Sequence, residues 1–132
     1  MNQTPHAAPV PPGARARVLV VEDDQDNALF LTHVLGGQGG FDVTHTPDPA
    51  VALLLVSAQP WDLVITDLEL PVMHGRELVG QLRRLIPALP VVVMTAHAAE
   101  ARGIACPVLV KPLRVDALIS TAMALIRATR RE

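Results

Sequence analysis

Lys111 is the only lysine in a chain that otherwise carries ten arginines. It closes the apolar run Val108-Leu109-Val110 and stands directly before Pro112. Its ammonium is a compact point charge on a flexible stem, whereas a guanidinium is a planar fork. Three further apolar runs end in short oxygen-bearing side chains. Val18-Leu19-Val20-Val21 runs into Glu22 and Asp23, Leu63-Val64-Ile65 into Thr66 and Asp67, and Val91-Val92-Val93-Met94 into Thr95. If these runs are parallel strands, one sheet edge gathers carboxylates, a hydroxyl and an ammonium. That set suits phosphoryl transfer to a carboxylate. Asp67 would be the nucleophile, because a carboxylate can form an acyl-phosphate without first losing a proton. Acids so close together need a cation, and hard oxygens with room for water and phosphate oxygens suit Mg2+, with Mn2+ as a substitute. Lys111 and the Thr95 hydroxyl would then face the charge on the transferring group, where most of such catalysis lies.

The elements that must position these groups alternate along the chain. Strands are expected at about 17–21, 41–45, 62–66, 91–95 and 108–110, with helices at about 25–36, 49–58, 75–86, 96–102 and 114–128. Asp48 followed by Pro49 reads as an N-cap with proline at the first helical position, and Asp24 and Asp26 read as acids at a helix start. Strand and helix in alternation give an α/β domain with a parallel sheet. Five of each imply a flavodoxin-like doubly wound sheet, with its site outside the carboxyl ends of the strands. Residues 1–14, rich in proline and alanine, read as a disordered arm, 15–129 as the domain and 130–132 as a charged tail.

The chain's 132 residues suit one domain. No apolar stretch reaches the ~18 residues of a membrane span, and the start lacks a secretory h-region. The single cysteine, Cys106, fits a reducing cytoplasm and reads as a packed thiol. Nine acids and no Lys or Arg lie between residues 18 and 75, a balance that favours a cation. No basic stripe is present, and the three aromatics Phe30, Phe41 and Trp61 make no stacking platform, so nucleic acid is not an expected partner.

The strings VLVVEDD (18–24), WDLVITDLELPVMHG (61–75), VVVMTA (91–96) and VLVKPL (108–113) together resemble the receiver domain of two-component response regulators. The resemblance covers about 17–128, with Asp23 and Asp67 44 residues apart. It implies that Asp67 is the phosphoacceptor and a metal ligand. Asp23 would touch Mg2+, Glu22 would act largely through water, and the Glu69 carbonyl would be a further ligand. Thr95 would be the switch hydroxyl, and Lys111, before a cis Pro112, would contact the phosphoryl group. The implied partners are a histidine kinase or a histidine phosphotransfer protein and an unidentified downstream protein, with a stand-alone receiver as the form. Glu69 and His97 flank the expected approach of water and are candidate modulators of hydrolysis.

Two departures from that family stand out. The position three before the lysine commonly holds an aromatic switch residue, and here it is Val108. Only 96–102 is left for the fourth helix before Gly103 and Pro107, two turns at most. The second helix is unusual as well. Ala50-Val51-Ala52-Leu53-Leu54-Leu55-Val56 is apolar around its circumference. With Ala52, Leu53 and Val56 toward the sheet, Val51, Leu54 and Leu55 would point outward as a contact for a partner or a second copy. Two other functions stay open. One is a pseudo-receiver, an interaction module regulated by binding rather than phosphate. The other is a small Mg2+-dependent phosphatase, with Glu69 in the place of a general acid.

Overall fold

The computed structural model describes residues 15–130; the expected arm and the last two residues lie outside it. The element order is β1 (Arg17–Val21), α1 (Gln25–Gly37), β2 (Asp42–Thr46), α2 (Pro49–Ala58), β3 (Leu63–Asp67), α3 (Gly75–Leu85), β4 (Val91–Thr95), a 3-10 turn (Ala98–Ala101), β5 (Val108–Val110) and α4 (Val115–Arg130). All strand pairs are parallel and the order is β2-β1-β3-β4-β5, which is the flavodoxin-like doubly wound sheet. Strands buried on both faces read as continuous apolar runs rather than alternations. Accordingly Val18 and Val20 pack toward α1 and α4 with Leu31, Leu35, Leu118 and Ala122, while Leu19 and Val21 pack toward α2 and α3 with Ala52, Val56, Leu78 and Leu82. No helix among the described residues is long and apolar enough to cross a membrane.

Caps fall where the sequence puts oxygen. Asp24 caps α1 by accepting from the Asp26 N–H, and Asp48 caps α2 by accepting from the Ala50 N–H. On α2 the expected faces need one correction. Leu54 is exposed and Val51 partly so, but Leu55 is half-buried and packs against the core, as does Leu53. Helical spacing explains this: Leu55 follows buried Ala52 by three and precedes buried Val56 by one, so it borders the buried face, while the Trp61 Nε1–H donates to its carbonyl at 2.9 Å. Arg130, at the expected start of a charged tail, is the last residue of α4, and its guanidinium reaches the carboxylate of Asp62. Asp62 also accepts from the Arg17 N–H at 2.8 Å, so a buried acid ties β1, β3 and α4 together at the amino end of the sheet.

The fourth expected helix is a single 3-10 turn, shorter even than the room left for it, and Gly103 at φ +81 ends it. So short a helix leaves its carbonyls without intrahelical donors. Two arginines one heptad apart on α3 supply donors to one carbonyl of the turn and two of the segment that follows it. Arg76 donates to the carbonyls of Glu100 (2.7 Å) and Arg102 (3.0 Å), and Arg83 to that of Ala105. Ala101, Ile104 and Cys106 pack against the core beneath. Burial pushes the Cys106 thiol pKa up, as expected of a packed, unreactive thiol. Replacing Arg76 with alanine should therefore speed amide exchange about tenfold across 98–105 while α1 and β1 keep their protection. Unchanged exchange there would mean the guanidinium contacts carry no structural weight.

Candidate functional site

Register alone sets the site. Val21 pairs with Thr66, Asp67 with Met94 and Thr95 with Val110, so the residues that follow these pairs meet at the carboxyl edge. Backbone bonds extend the ladder past the strands: Glu22 N–H to Thr46 O, Leu68 N–H to Met94 O, and Lys111 N–H to Thr95 O at 2.8 Å. Glu22, Asp67 and Thr95 are almost wholly buried, and Asp23 is exposed at the rim. Lys111 Nζ donates to Asp67 Oδ2 at 2.6 Å and stands 3.5 Å from Glu22 Oε1. The Lys111–Pro112 peptide is cis. All five groups expected at one edge are there.

Asp67 is held from two sides. Its Oδ1 accepts from the Glu69 N–H at 2.9 Å, its Oδ2 from Lys111, and each oxygen keeps a free lone pair. Glu22 Oε2 accepts from the Asp24 N–H at 3.1 Å, while Oε1 is buried with no hydrogen-bond donor on it. Burial first, and then the charge of Asp67, push the Glu22 carboxyl up to about 7, against the Asp24 N–H and the Lys111 ammonium. The same carboxylates, once past the cost of burial, hold the Lys111 ammonium above its ordinary value.

One carboxylate oxygen from each of Glu22, Asp23 and Asp67 lies within 4.8 Å of the others. The buried, donor-free Oε1 of Glu22 and an all-oxygen donor set fit a hard divalent cation such as Mg2+. Bound there, the cation would offset carboxylate charge and polarise phosphoryl oxygens.

Glu69 turns its carboxylate to Thr95, whose hydroxyl donates to Oε2 at 2.8 Å. His97 meets the same hydroxyl through its backbone. Its N–H donates to Thr95 Oγ1 at 3.0 Å, and its carbonyl lies 3.1 Å from that oxygen. Val108, at the aromatic position, is half-buried and packs against the core. A cleft of about 250 Å3 opens beside Glu22 and Lys111, lined also by Asn27, Phe30, Leu31, Pro112 and Leu113. The sequence did not single out Asn27, and it marked Phe30 only as one of three aromatics and not as a lining residue; their place two and five residues into α1, just past the acidic pair, was the available signal.

The loop from Asp67 back to α3 depends on one glycine. A Cβ on Gly75 would lie 2.4 Å from the Asp67 carbonyl oxygen and 2.6 Å from Leu68 Cα, both backbone atoms that cannot swing aside. Gly75→Ala is expected to cost about 1–3 kcal/mol in urea unfolding; a wild-type midpoint would contradict this tight approach.

Comparison with known proteins bears on the same residues. The model of the response regulator receiver domain matches residues 18–122. The chain is 37% identical over 112 residues to the response regulator protein FleR of Pseudomonas aeruginosa, covering 79% of this chain but only 23% of that protein. It is 35% identical over 85 residues to the response regulator receiver protein CpdR of Brucella abortus, covering 64% of this chain and 70% of that one. The crystal structure of response regulator TrrA from Thermotoga maritima, in complex with Mg2+ and BeF, superposes with a TM-score of 0.77 at 25% identity over 83% of this chain and 98% of that one. With its fold, its edge of acids and this match, the chain belongs to the response regulator receiver family.

Proposed function

We propose that this chain is a phosphoacceptor receiver of a two-component or phosphorelay system, working as a stand-alone unit in the cytoplasm. Asp67 takes a phosphoryl group from a phosphohistidine on a histidine kinase or a histidine phosphotransfer protein. The observation that carries this is the buried Asp67 carboxylate, 2.6 Å from the only lysine and beside two more acids at the carboxyl edge of the sheet. An Asp67 oxygen attacks phosphorus, the bond from phosphorus to the donor nitrogen breaks, and its electron pair leaves with the imidazole. The Lys111 ammonium faces the transferring oxygens, and the Thr95 hydroxyl donates to one of them. Glu22, Asp23, Asp67 and the Glu69 carbonyl would hold Mg2+ or Mn2+; TrrA, crystallised with Mg2+ and BeF, supports that assignment by likeness. Glu69 and His97 modulate hydrolysis of the acyl-phosphate. The chain's chemistry is limited to its own phosphorylation and dephosphorylation, and output runs through contacts with a downstream protein. Because Val108 cannot swing as an aromatic ring does, the response is carried by 96–107 and by the loop after Asp67. Val51 and Leu54 offer an apolar contact to a partner or a second copy.

The test is incubation with acetyl phosphate and Mg2+, read by intact mass. One added phosphoryl group, lost when EDTA replaces Mg2+, is the expected result. An unchanged mass with every donor would favour the pseudo-receiver, the reading that Val108 and the missing helix suggest.

Glu22 makes the cation dependence a function of pH. Its folded-state pKa of about 7 lies above the ordinary 4.5, so between these values the folded protein holds a proton that the unfolded chain has lost. Metal-free stability therefore gains from Glu22 at low pH and loses that gain as pH rises from 4.5 through 7. A divalent cation needs the ionised form. The rise in melting temperature caused by Mg2+ should be larger at pH 8 than at pH 6, and Glu22→Gln should flatten the difference. Equal shifts at both pH values in the wild type would show that Glu22 is ionised throughout.

A further inference from the structure

We propose that Glu69 is a latch on Thr95: its carboxylate occupies the hydroxyl proton that a phosphoryl oxygen on Asp67 must take. The inference rests on the reading of Asp67 as phosphoacceptor and Thr95 as the hydroxyl that meets the phosphoryl group. Thr95 is fully buried at the end of β4, and its hydroxyl has one proton to give. An acceptor lone pair is already filled by the His97 N–H at 3.0 Å. The proton faces two acceptors, Glu69 Oε2 at 2.8 Å and the His97 carbonyl at 3.1 Å. The carboxylate is the nearer and the charged one, so it takes the bond.

Glu69 is also tied to the phosphoacceptor, since its N–H donates to Asp67 Oδ1 at 2.9 Å. One residue thus spans the site, with its peptide on Asp67 and its side chain on a hydroxyl 26 residues away in sequence. A phosphoryl group on Asp67 brings anionic oxygens that compete for the same proton. Glu69 must then release Thr95, and because its side chain is exposed, water can take up the freed carboxylate at small cost. The latch is therefore reversible: it slows phosphorylation and lowers the phosphorylated fraction at a given donor concentration. Its action differs from plain repulsion of the donor, because it needs Thr95.

A double-mutant cycle separates the two. In acetyl phosphate and Mg2+, Glu69→Ala should raise the labelling rate about three- to tenfold, the weight of a partly exposed charged hydrogen bond. In a Thr95→Val background the same change should have no effect beyond about twofold. An equal acceleration in both backgrounds, or none in the first, overturns the latch. Urea unfolding of the four unmodified proteins gives a second cycle that does not depend on phosphorylation. The two substitutions should be non-additive in urea midpoint, and strict additivity overturns the contact itself. Absence of label from the wild type would overturn the phosphoacceptor reading and the latch that rests on it, and the unfolding cycle would still decide on the Glu69–Thr95 contact.

Discussion

Asp67→Asn should abolish labelling by acetyl phosphate, with the folded state retained. The expectation follows from uniqueness of position rather than from acidity in general. Asp67 alone among the acids sits at the end of a fully buried strand with Lys111 at 2.6 Å and the Glu69 N–H at 2.9 Å. The amide keeps an oxygen that can accept from Lys111, so the geometry survives while the nucleophilic carboxylate is lost. Removing that charge also lifts one of the causes that raise the Glu22 pKa, so Glu22 should ionise at lower pH in this variant. Intact mass checks the first expectation. Full labelling of Asp67→Asn would place the acceptor elsewhere, with Glu22 and Asp23 the next to replace.

Lys111→Arg keeps the positive charge and should still slow labelling, on the order of tenfold or more, as loss of an aimed donor does at other anionic transition states. The ammonium now lies between Asp67 Oδ2 and Glu22 Oε1. A guanidinium is larger and planar, and it would bridge the two carboxylates as a fork, fixing them to each other. Mg2+ binding, followed by thermal shift, should survive, since all three carboxylates remain. Wild-type labelling in Lys111→Arg would reduce Lys111 to a generic charge and leave the chain's single lysine without explanation.

The sheet and its functional edge were legible in the sequence for one physical reason. Parallel strands buried on both faces are continuous apolar runs, and polar residues at their ends stand out against them. β1, β3 and β4 read this way, β5 is an apolar run although it lies half-buried at the sheet edge, and register then carried Glu22, Asp67, Thr95 and Lys111 together. Strand ends moved by a residue in β2 and β3, as hydrogen-bonded boundaries do. The orientation of α2 was only half legible. A helix apolar all round gives no stripe to orient it, and Leu55 lies at the border of the buried face that Ala52 and Val56 define.

Contacts between residues far apart in sequence were hidden. Arg76 and Arg83 look like solvated helix charges until the shortened segment after β4 brings its carbonyls to them. Asp62 carried a faint signal, an acid at the head of a buried strand, but its partner Arg130 lies 68 residues away. The Glu69–Thr95 bond likewise depends on how the loop after β3 lies over β4, which strand patterns do not encode.

The most direct test of the central claim is to find which atom carries the phosphoryl group. The protein would be labelled with acetyl phosphate and Mg2+, treated with borohydride to reduce any acyl-phosphate to an alcohol, digested, and mapped by tandem mass spectrometry. Reduction of Asp67 alone to homoserine, dependent on both donor and metal, is the predicted result. Reduction at Glu22, Asp23 or Glu69 with Asp67 intact, or a label on a histidine that borohydride leaves untouched, would contradict it.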